Sequence, residues 1–358
     1  MEKTIVVHDQ TFHADDAFAC FVFLHTEEFR GAKIIRTRNQ EIIDKADAVA
    51  DVGGIYDPEK RRFDHHQLSF DFKFPGCEIP CAAAGAVYYH FGKEAIKNIL
   101  AENNRDAGEH LDYLWNEMYF VFLKEVDAID NGVNMYPTDV EVTYSINTGI
   151  SSRIALLNPH WKTKDPDPYG QFMKAIELIG KEFTDRLLFM LDSQVPAMDV
   201  VKRAYYDRFN VDESGKIMIL SESCGFEKHL KRFEEEEENE DKPRVLYVIS
   251  QRNDGSYNIK AVGTGKGFEL RKALPFPGLR DEELSTKSGI PGAIFVHKSG
   301  FLGAYKELDQ AVQFAKLALA QPTPEILPPK KEKKPEEEKK TEEGAKPEEE
   351  KKEEEKKE

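Results

Sequence analysis

The chain has 358 residues, 40% apolar and 32% charged, with a formal net charge of −16. That length exceeds one small core and predicts about two domains. With no run of 18 apolar residues, no membrane span is expected, and the acidic balance argues against broad, non-specific binding to duplex nucleic acid.

Met1-Glu2-Lys3 leads directly into the apolar run Ile5-Val6-Val7, so no leader is expected and a cytoplasmic or nuclear protein is the natural reading. Cys20, Cys77, Cys81 and Cys224 form no C-x-x-C pair and read as reduced packing residues.

In chain order, Thr4–Val7 is a short β-branched run that predicts a buried strand. A loop over His8–Phe12 follows, then helical periodicity over Ala14–Leu24. Lys33–Thr37 and Ala48–Val52 predict a second and a third strand, and Gly53-Gly54 breaks the chain. Alternation of strand, helix and strand implies an α/β fold with a parallel sheet, whose ligands collect at the carboxyl ends of the strands. Cys81–Phe91 and Leu111–Ile129 read as helices, the second ended by Asn131-Gly132. Tyr169–Phe209 reads as a long helical stretch broken near Pro196. A second α/β region begins near Lys216 with a strand over Lys216–Leu220. Val245–Ser250 and Tyr257–Val262 flank Asn253-Asp254-Gly255-Ser256, a hairpin signal. The acidic run Glu234–Asp241 reads as a solvated loop, Gly292–His297 as a strand and Leu308–Ala320 as a closing helix. Lys330–Glu358 holds 11 Lys and 13 Glu and has no apolar face to bury, so a disordered appendage is expected.

The chemistry concentrates near the N-terminus. Five of the ten histidines fall within the first 66 residues, among Asp9, Asp15, Asp16, Asp51 and Asp64. Imidazole mixed with carboxylate suits Mn, Fe or Zn rather than Ca. His8, Asp51 and Asp64-His65-His66 each follow a strand-like run, so they can converge. Asp15 and Asp16 could instead only cap a helix, and Asp51 could only begin a turn. Asp127 and Asp130 lie three apart on one helix face, either being able to join a metal. Several such groups on neighbouring strand ends suggest a two-metal hydrolase site acting on a phosphate ester.

Taken together, these blocks resemble the DHH phosphoesterase superfamily, and within it the melanocyte-proliferating-gene (Myg) exonuclease family. The resemblance runs from His8 to about Ala320. It is carried by His8-Asp-Gln-Thr-Phe-His13-Ala-Asp15-Asp16, Arg36-Thr-Arg38, Asp51-Val-Gly-Gly, Arg62-Phe-Asp64-His65-His66-Gln67, Glu125-Val-Asp127-Ala-Ile-Asp130-Asn-Gly, Leu157-Asn-Pro-His-Trp161, Gly278-Leu-Arg280-Asp and the block Ser288–Gly303. Two positions depart from the family pattern, Gln10 standing for a usual Gly and Asp16 for a usual Glu.

The resemblance implies a catalytic domain, placed over 1–165, and a smaller substrate-gripping domain, placed over 213–325, across a cleft; the helical stretch reads as a linker over 166–212, and the tail over 326–358 has no family counterpart. It implies two divalent ions, usually manganese, and a 3′–5′ exonuclease acting on single-stranded RNA. One ion would sit among His8, His13 and Asp51. The second would sit among Asp15, Asp51, His65 and one of Asp127 or Asp130, with Asp51 as the bridge. His66 would donate to the scissile phosphate, Asp64 would orient a histidine, and Asp16 would act nearby. Arg36 and Arg38 stand as grips for neighbouring phosphates, and Arg280, His297, Lys298 and Ser299 as contacts to the terminal nucleotide. Members of this family are associated with nucleus and mitochondria. Two other readings stay open: a phosphohydrolase of small molecules such as pyrophosphate, oligoribonucleotides or cyclic dinucleotides, and a non-catalytic regulator with a vestigial site.

Overall fold

The apolar run Ile5-Val6-Val7 forms the centre of strand β1 (Thr4–Val7). In the computed structural model, which describes residues 2–236 and 242–322, β1 is flanked on both sides by parallel partners. Helix α1 (Ala14–Leu24) carries the chain to β2 (Lys33–Arg36), and α2 (Gln40–Lys45) carries it back across β1 to β3 (Ala48–Ala50). The short strands β4 (Tyr56–Asp57) and β5 (Arg62–Phe63) complete a sheet of order β2-β1-β3-β5-β4. β5 runs parallel to β3, and β4 is antiparallel to β5. A strand covered on both faces is apolar along its length rather than alternating. The direction of winding reverses beside β1, so the carboxyl ends of β1 and β3 border the crevice where such sheets bind ligands. The parallel α/β expectation is met. The predicted bounds of α1 match, while β4, β5 and α2 have no distinct sequence signal.

Two compact units divide the chain between Val245 and Leu246. The first holds this sheet and most of the helices. Helix α3 (Ala83–Glu102) runs well beyond the Cys81–Phe91 expected for it. The expected helix over Leu111–Ile129 is α4 (Leu111–Met118), a π-type turn at Tyr119–Leu123, and α5 (Lys124–Asp130). After α6 (Ile150–Ala155) comes α7 (Pro168–Phe189), which packs on α1 and places Phe172, Ile179, Phe183 and Leu187 in the same core as Phe12 and Phe18. A residue with a Cβ at position 180 would meet the Phe21 ring at 2.4 Å, so Gly180 permits this close approach. Pro168–Phe189 is therefore core of the first unit rather than a link. A second π-type turn at Met190–Gln194 precedes α8 (Val195–Tyr206), and Pro196, which has no N–H to donate, follows directly on that turn. Helix α9 (Arg208–Val211) and strand β6 (Ile217–Ile219) pack near α8. Helix α10 (Glu227–Glu236) also packs on α8 and takes in the start of the acidic run expected as a loop. Leu230 and Phe233 give α10 one buried face, and the acids occupy the other. These contacts keep residues up to Val245 with the first unit, past the expected boundary at 213.

In the second unit, β7 (Tyr247–Gln251) and β8 (Tyr257–Ala261) pair antiparallel around Asp254-Gly255, with Gly255 at φ 85°, as the turn residues predict. Helix α11 (Asp281–Ser288), β9 (Ala293–Val296) and β10 (Leu302–Tyr305) follow, and the neighbours run β7-β8-β10-β9. Helix α12 (Leu308–Ala320) packs on β7, β8 and β10, within its expected bounds. The Lys/Glu tail lies outside the described residues. Among the described residues, no helix is long and apolar enough to cross a membrane.

Candidate metal centre

Three adjacent parallel strands each deliver a polar residue at the carboxyl end. His8 follows β1, Asp51 follows β3, and Asp64-His65 follows β5. Asp15 and Asp16 lie in the first turn of α1, with His13 as its N-cap, and Asp130 ends α5. His8 Nε2 stands 3.2 Å from Asp51 Oδ2 and 3.3 Å from Asp16 Oδ2. His65 Nε2 stands 3.4 Å from Asp51 Oδ1 and 3.0 Å from Asp130 Oδ2. Three groups result, His8/His13/Asp51, Asp51/His65/His66 and Asp15/His65/Asp130, and within each the ligand atoms lie within 4.8 Å of one another. Asp51 turns one oxygen to His8 and the other to His65, so one carboxylate serves both sides.

Asp51 adopts φ 56°, a left-handed conformation that aspartate tolerates better than most residues. The strain aims the carboxylate back over the strand ends.

The donors are buried beyond what their partners justify. Asp15 and Asp16 are fully buried, and Asp51 is 4% exposed. Asp16 Oδ2, Asp51 Oδ1 and His65 Nε2 are buried with no hydrogen-bond partner. Grouped carboxylates in this state call for cations. Burial, with the charges of Asp130 and Asp51, pushes the Asp15 carboxyl well above its usual range. Burial also pushes Asp16 up to about 7, against the pull of His8. Burial opposes charge on His65, but Asp130 and Asp51 outweigh it and push the imidazole up to about 11. Burial works against Asp51 as well, yet His65 and His8 hold it well below the usual carboxylate range. In a metal-free protein, protons thus take the place of cations. The oxygen and imidazole donors fit Mn, Fe or Zn. His8 Nδ1 lies 2.8 Å from the Asp9 carbonyl, an arrangement that fixes the tautomer and leaves Nε2 for a metal.

Asp64 touches His66 rather than the centre. Its Oδ1 lies 2.6 Å from His66 Nδ1, and its Oδ2 accepts from the Gly54 amide. His66 is largely exposed. Of the two acids on α5, Asp130 joins the cluster and Asp127 does not. Asp127 Oδ1 accepts from the amides of Ala82 and Gly85, each at 3.0 Å, and Oδ2 accepts from the Tyr119 hydroxyl at 2.9 Å. With those bonds made, Asp127 closes the N-terminus of α3 and belongs to none of the three groups.

The model of a family described as "Uncharacterised protein family (UPF0160)", MYG1_exonuc, matches residues 4–319. The rat MYG1 exonuclease is 38% identical over 329 residues, 89% of this chain and 85% of the relative. The human MYG1 exonuclease is 38% identical over 327 residues, 88% of this chain and 86% of the relative. A MYG1 protein of Dictyostelium discoideum is 37% identical over 326 residues, 89% of this chain and 97% of the relative. The chain belongs to the MYG1 exonuclease family. The resemblance of the sequence blocks to that family is borne out. Together, MYG1 membership and the clustered donors support a metal-dependent phosphodiesterase or nuclease.

Other residues singled out for the MYG1 resemblance are placed differently from the cluster. Arg36 Nη2 donates to the Gln10 carbonyl at 2.7 Å, and its guanidinium lies over the rings of Phe12 and Phe172. Arg38 Nη1 donates to the Asp9 carbonyl at 2.8 Å and pairs with the Asp9 carboxylate. Both arginines hold the loop between His8 and His13, each through one nitrogen of its guanidinium, while Arg36 Nε has no hydrogen-bond partner. Gln10, where the MYG1 pattern has Gly, sits at φ 67°, which explains why a glycine suits that turn. In the second unit, Arg280 is the N-cap of α11 and lies over the Phe295 ring at 5.7 Å. His297 Nδ1 and Ser299 Oγ lie 2.8 Å apart, and Lys298 sits between them in sequence. Sequence reasoning attaches no role to Tyr119 or Asn158. Their partners lie elsewhere in the chain, and although Asn158 stands in the block Leu157-Asn-Pro-His-Trp161, nothing local shows what either side chain holds.

Proposed function

We propose that this chain is a two-metal phosphodiesterase acting as a 3′–5′ exonuclease on single-stranded RNA. The observation that carries the reading is Asp51, which presents one oxygen toward His8 and the other toward His65. The first ion would be held by His8, His13 and Asp51, and the second by Asp15, Asp51, His65 and Asp130. Divalent ions, manganese being the first candidate, supply Lewis acidity that lowers the pKa of water and offsets charge on a phosphoryl group. Asp64 holds His66 by Nδ1, which leaves Nε2 as donor to a phosphate oxygen. Asp16 keeps an unpaired oxygen beside His8 and helps orient that ring. A cavity of about 390 Å³ lined by Phe12, His13, Asp15, Asp130, Ser151 and Ala155 offers space for a sugar or base beside the same donors. Arg280, His297, Lys298 and Ser299 of the second unit would contact the terminal nucleotide, His297 and Ser299 lying 2.8 Å apart. The names of the rat and human relatives agree with exonuclease activity.

The test is purified protein with Mn²⁺ on end-labelled single-stranded RNA, run beside pyrophosphate. A ladder shortening from the 3′ end is expected. Release of inorganic phosphate from pyrophosphate with intact RNA would overturn the substrate class, and inertness on both would overturn the enzyme.

A further inference from the structure

The loop from β1 to α1 carries His8 at its start and His13 at its end. Its backbone is held by side chains from distant parts of the chain. Arg38 takes the Asp9 carbonyl and Arg36 the Gln10 carbonyl. Phe12, directly before His13, is held by Asn158, 146 residues away. The Phe12 amide donates to Asn158 Oδ1 at 3.0 Å, and Asn158 Nδ2 donates to the Phe12 carbonyl at 2.9 Å.

We infer that Asn158 is a positioning residue for the His8/His13/Asp51 half of the metal centre. One planar amide meets both polar groups of one residue, so it restrains the Phe12 backbone in position and in rotation. The Phe12 ring is fully buried, 5.5 Å from Phe172 of α7, which holds the same residue from its side-chain end. The other hold on His13 is its amide bond to Asp16 Oδ1 at 2.8 Å. His13 is otherwise exposed, and its ring lies 5.4 Å from the ring of His8, at the other end of the same loop. Where its imidazole stands therefore depends on where the backbone stands. Asn158 follows α6, whose Ser151, Ser152 and Ala155 line the cavity beside the centre, and its Nδ2 also reaches the Ala155 carbonyl at 3.4 Å. The wall of the cavity and the His13 backbone are thus tied through one side chain. Groups of this kind, which orient a ligand without touching the metal, typically change metal affinity about 10–100-fold when removed.

The inference rests on the metal reading above, and calorimetric titration of metal-free protein with manganese separates the two. The unaltered protein should show two classes of site. Asn158→Ala should weaken one class by about 10–100-fold and leave the other in place, and His13→Ala should weaken that same class. Amide exchange at Phe12 and His13 should speed up in Asn158→Ala. A folded Asn158→Ala that binds both ions as the unaltered protein does, or that loses both equally, would overturn the positioning role. Absence of binding to the unaltered protein would remove the metal reading and this inference with it. If Asn158→Ala does not fold, Asn158→Asp is judged by the same criteria, since it keeps the acceptor for the Phe12 amide and loses the donor to its carbonyl.

Discussion

The carboxylates of Asp15 and Asp127 share the N-terminus of α3. Asp15 accepts from the amides of Ala83 and Ala84 at 3.2 and 2.6 Å, and Asp127 from those of Ala82 and Gly85 at 3.0 Å each. The helix has Ala82 as its N-cap and no side chain of its own to cap it. Two acids from α1 and α5 therefore satisfy amides that a helix leaves open, and the helix dipole favours their charge. Gly85 is needed there, because a Cβ would stand 2.1 Å from Asp127 Oδ2. One helix end thus places Asp15 beside His65 and Asp130.

The two acids of α5 should part in a stability measurement. Asp127→Ala leaves two buried amides and the Tyr119 hydroxyl without their acceptor, which costs about 2–4 kcal/mol. Asp130→Ala removes a partly exposed acid, and relief of the crowded negative cluster offsets loss of its ion pair with His65, so it should cost less than Asp127→Ala. Urea unfolding of the metal-free variants checks this. In metal binding the order should reverse, with Asp130→Ala the more damaged. Equal stability losses would contradict the division of roles.

Asp51→Asn should keep the fold and lose the reaction. Asparagine tolerates the left-handed backbone at this position and matches the volume, so the circular dichroism spectrum should not change. The shared negative ligand is gone, and hydrolysis of a phosphodiester should fall by roughly 100-fold or more. His65→Ala should behave in the same way. Full activity in either variant would refute the assigned centre.

Metal binding should release protons. His65, pushed up to about 11, and Asp16, pushed up to about 7, hold protons in the metal-free protein near neutral pH. A cation needs its ligand His65 deprotonated and, held beside His8, favours loss of the proton on neighbouring Asp16, so affinity for manganese should fall as pH falls. Both folded-state values lie above the ordinary ones. The stability that the two protons contribute is therefore lost as pH rises, through about 4–7 for Asp16 and about 6.5–11 for His65. Titration at about pH 7.5 in two buffers of different ionisation enthalpy reads the proton count directly. A count of zero would contradict the protonated cluster.

Much of the centre is legible in the amino-acid sequence. His8 and Asp51 follow apolar runs, a parallel sheet brings the ends of such runs to one edge, and His65 stands out only as part of Asp64-His65-His66. The short strands β4 and β5 carry two residues each and no periodicity, so no local pattern marks them. Arg36 and Arg38 read as phosphate grips from residue type, and their bonds to the Gln10 and Asp9 carbonyls join residues too far apart in sequence for any local pattern to show. The choice between Asp127 and Asp130 turns on which acid of α5 meets the end of α3.

The longer strands and helices, the donor types and the family follow from the chain itself, because hydrophobic periodicity and residue chemistry are local properties. Only the tertiary structure decides which acid joins the donor cluster and which caps a helix, and that Asn158 holds Phe12. Those assignments depend on contacts between residues far apart in sequence, which exist only once the helices have packed against the sheet.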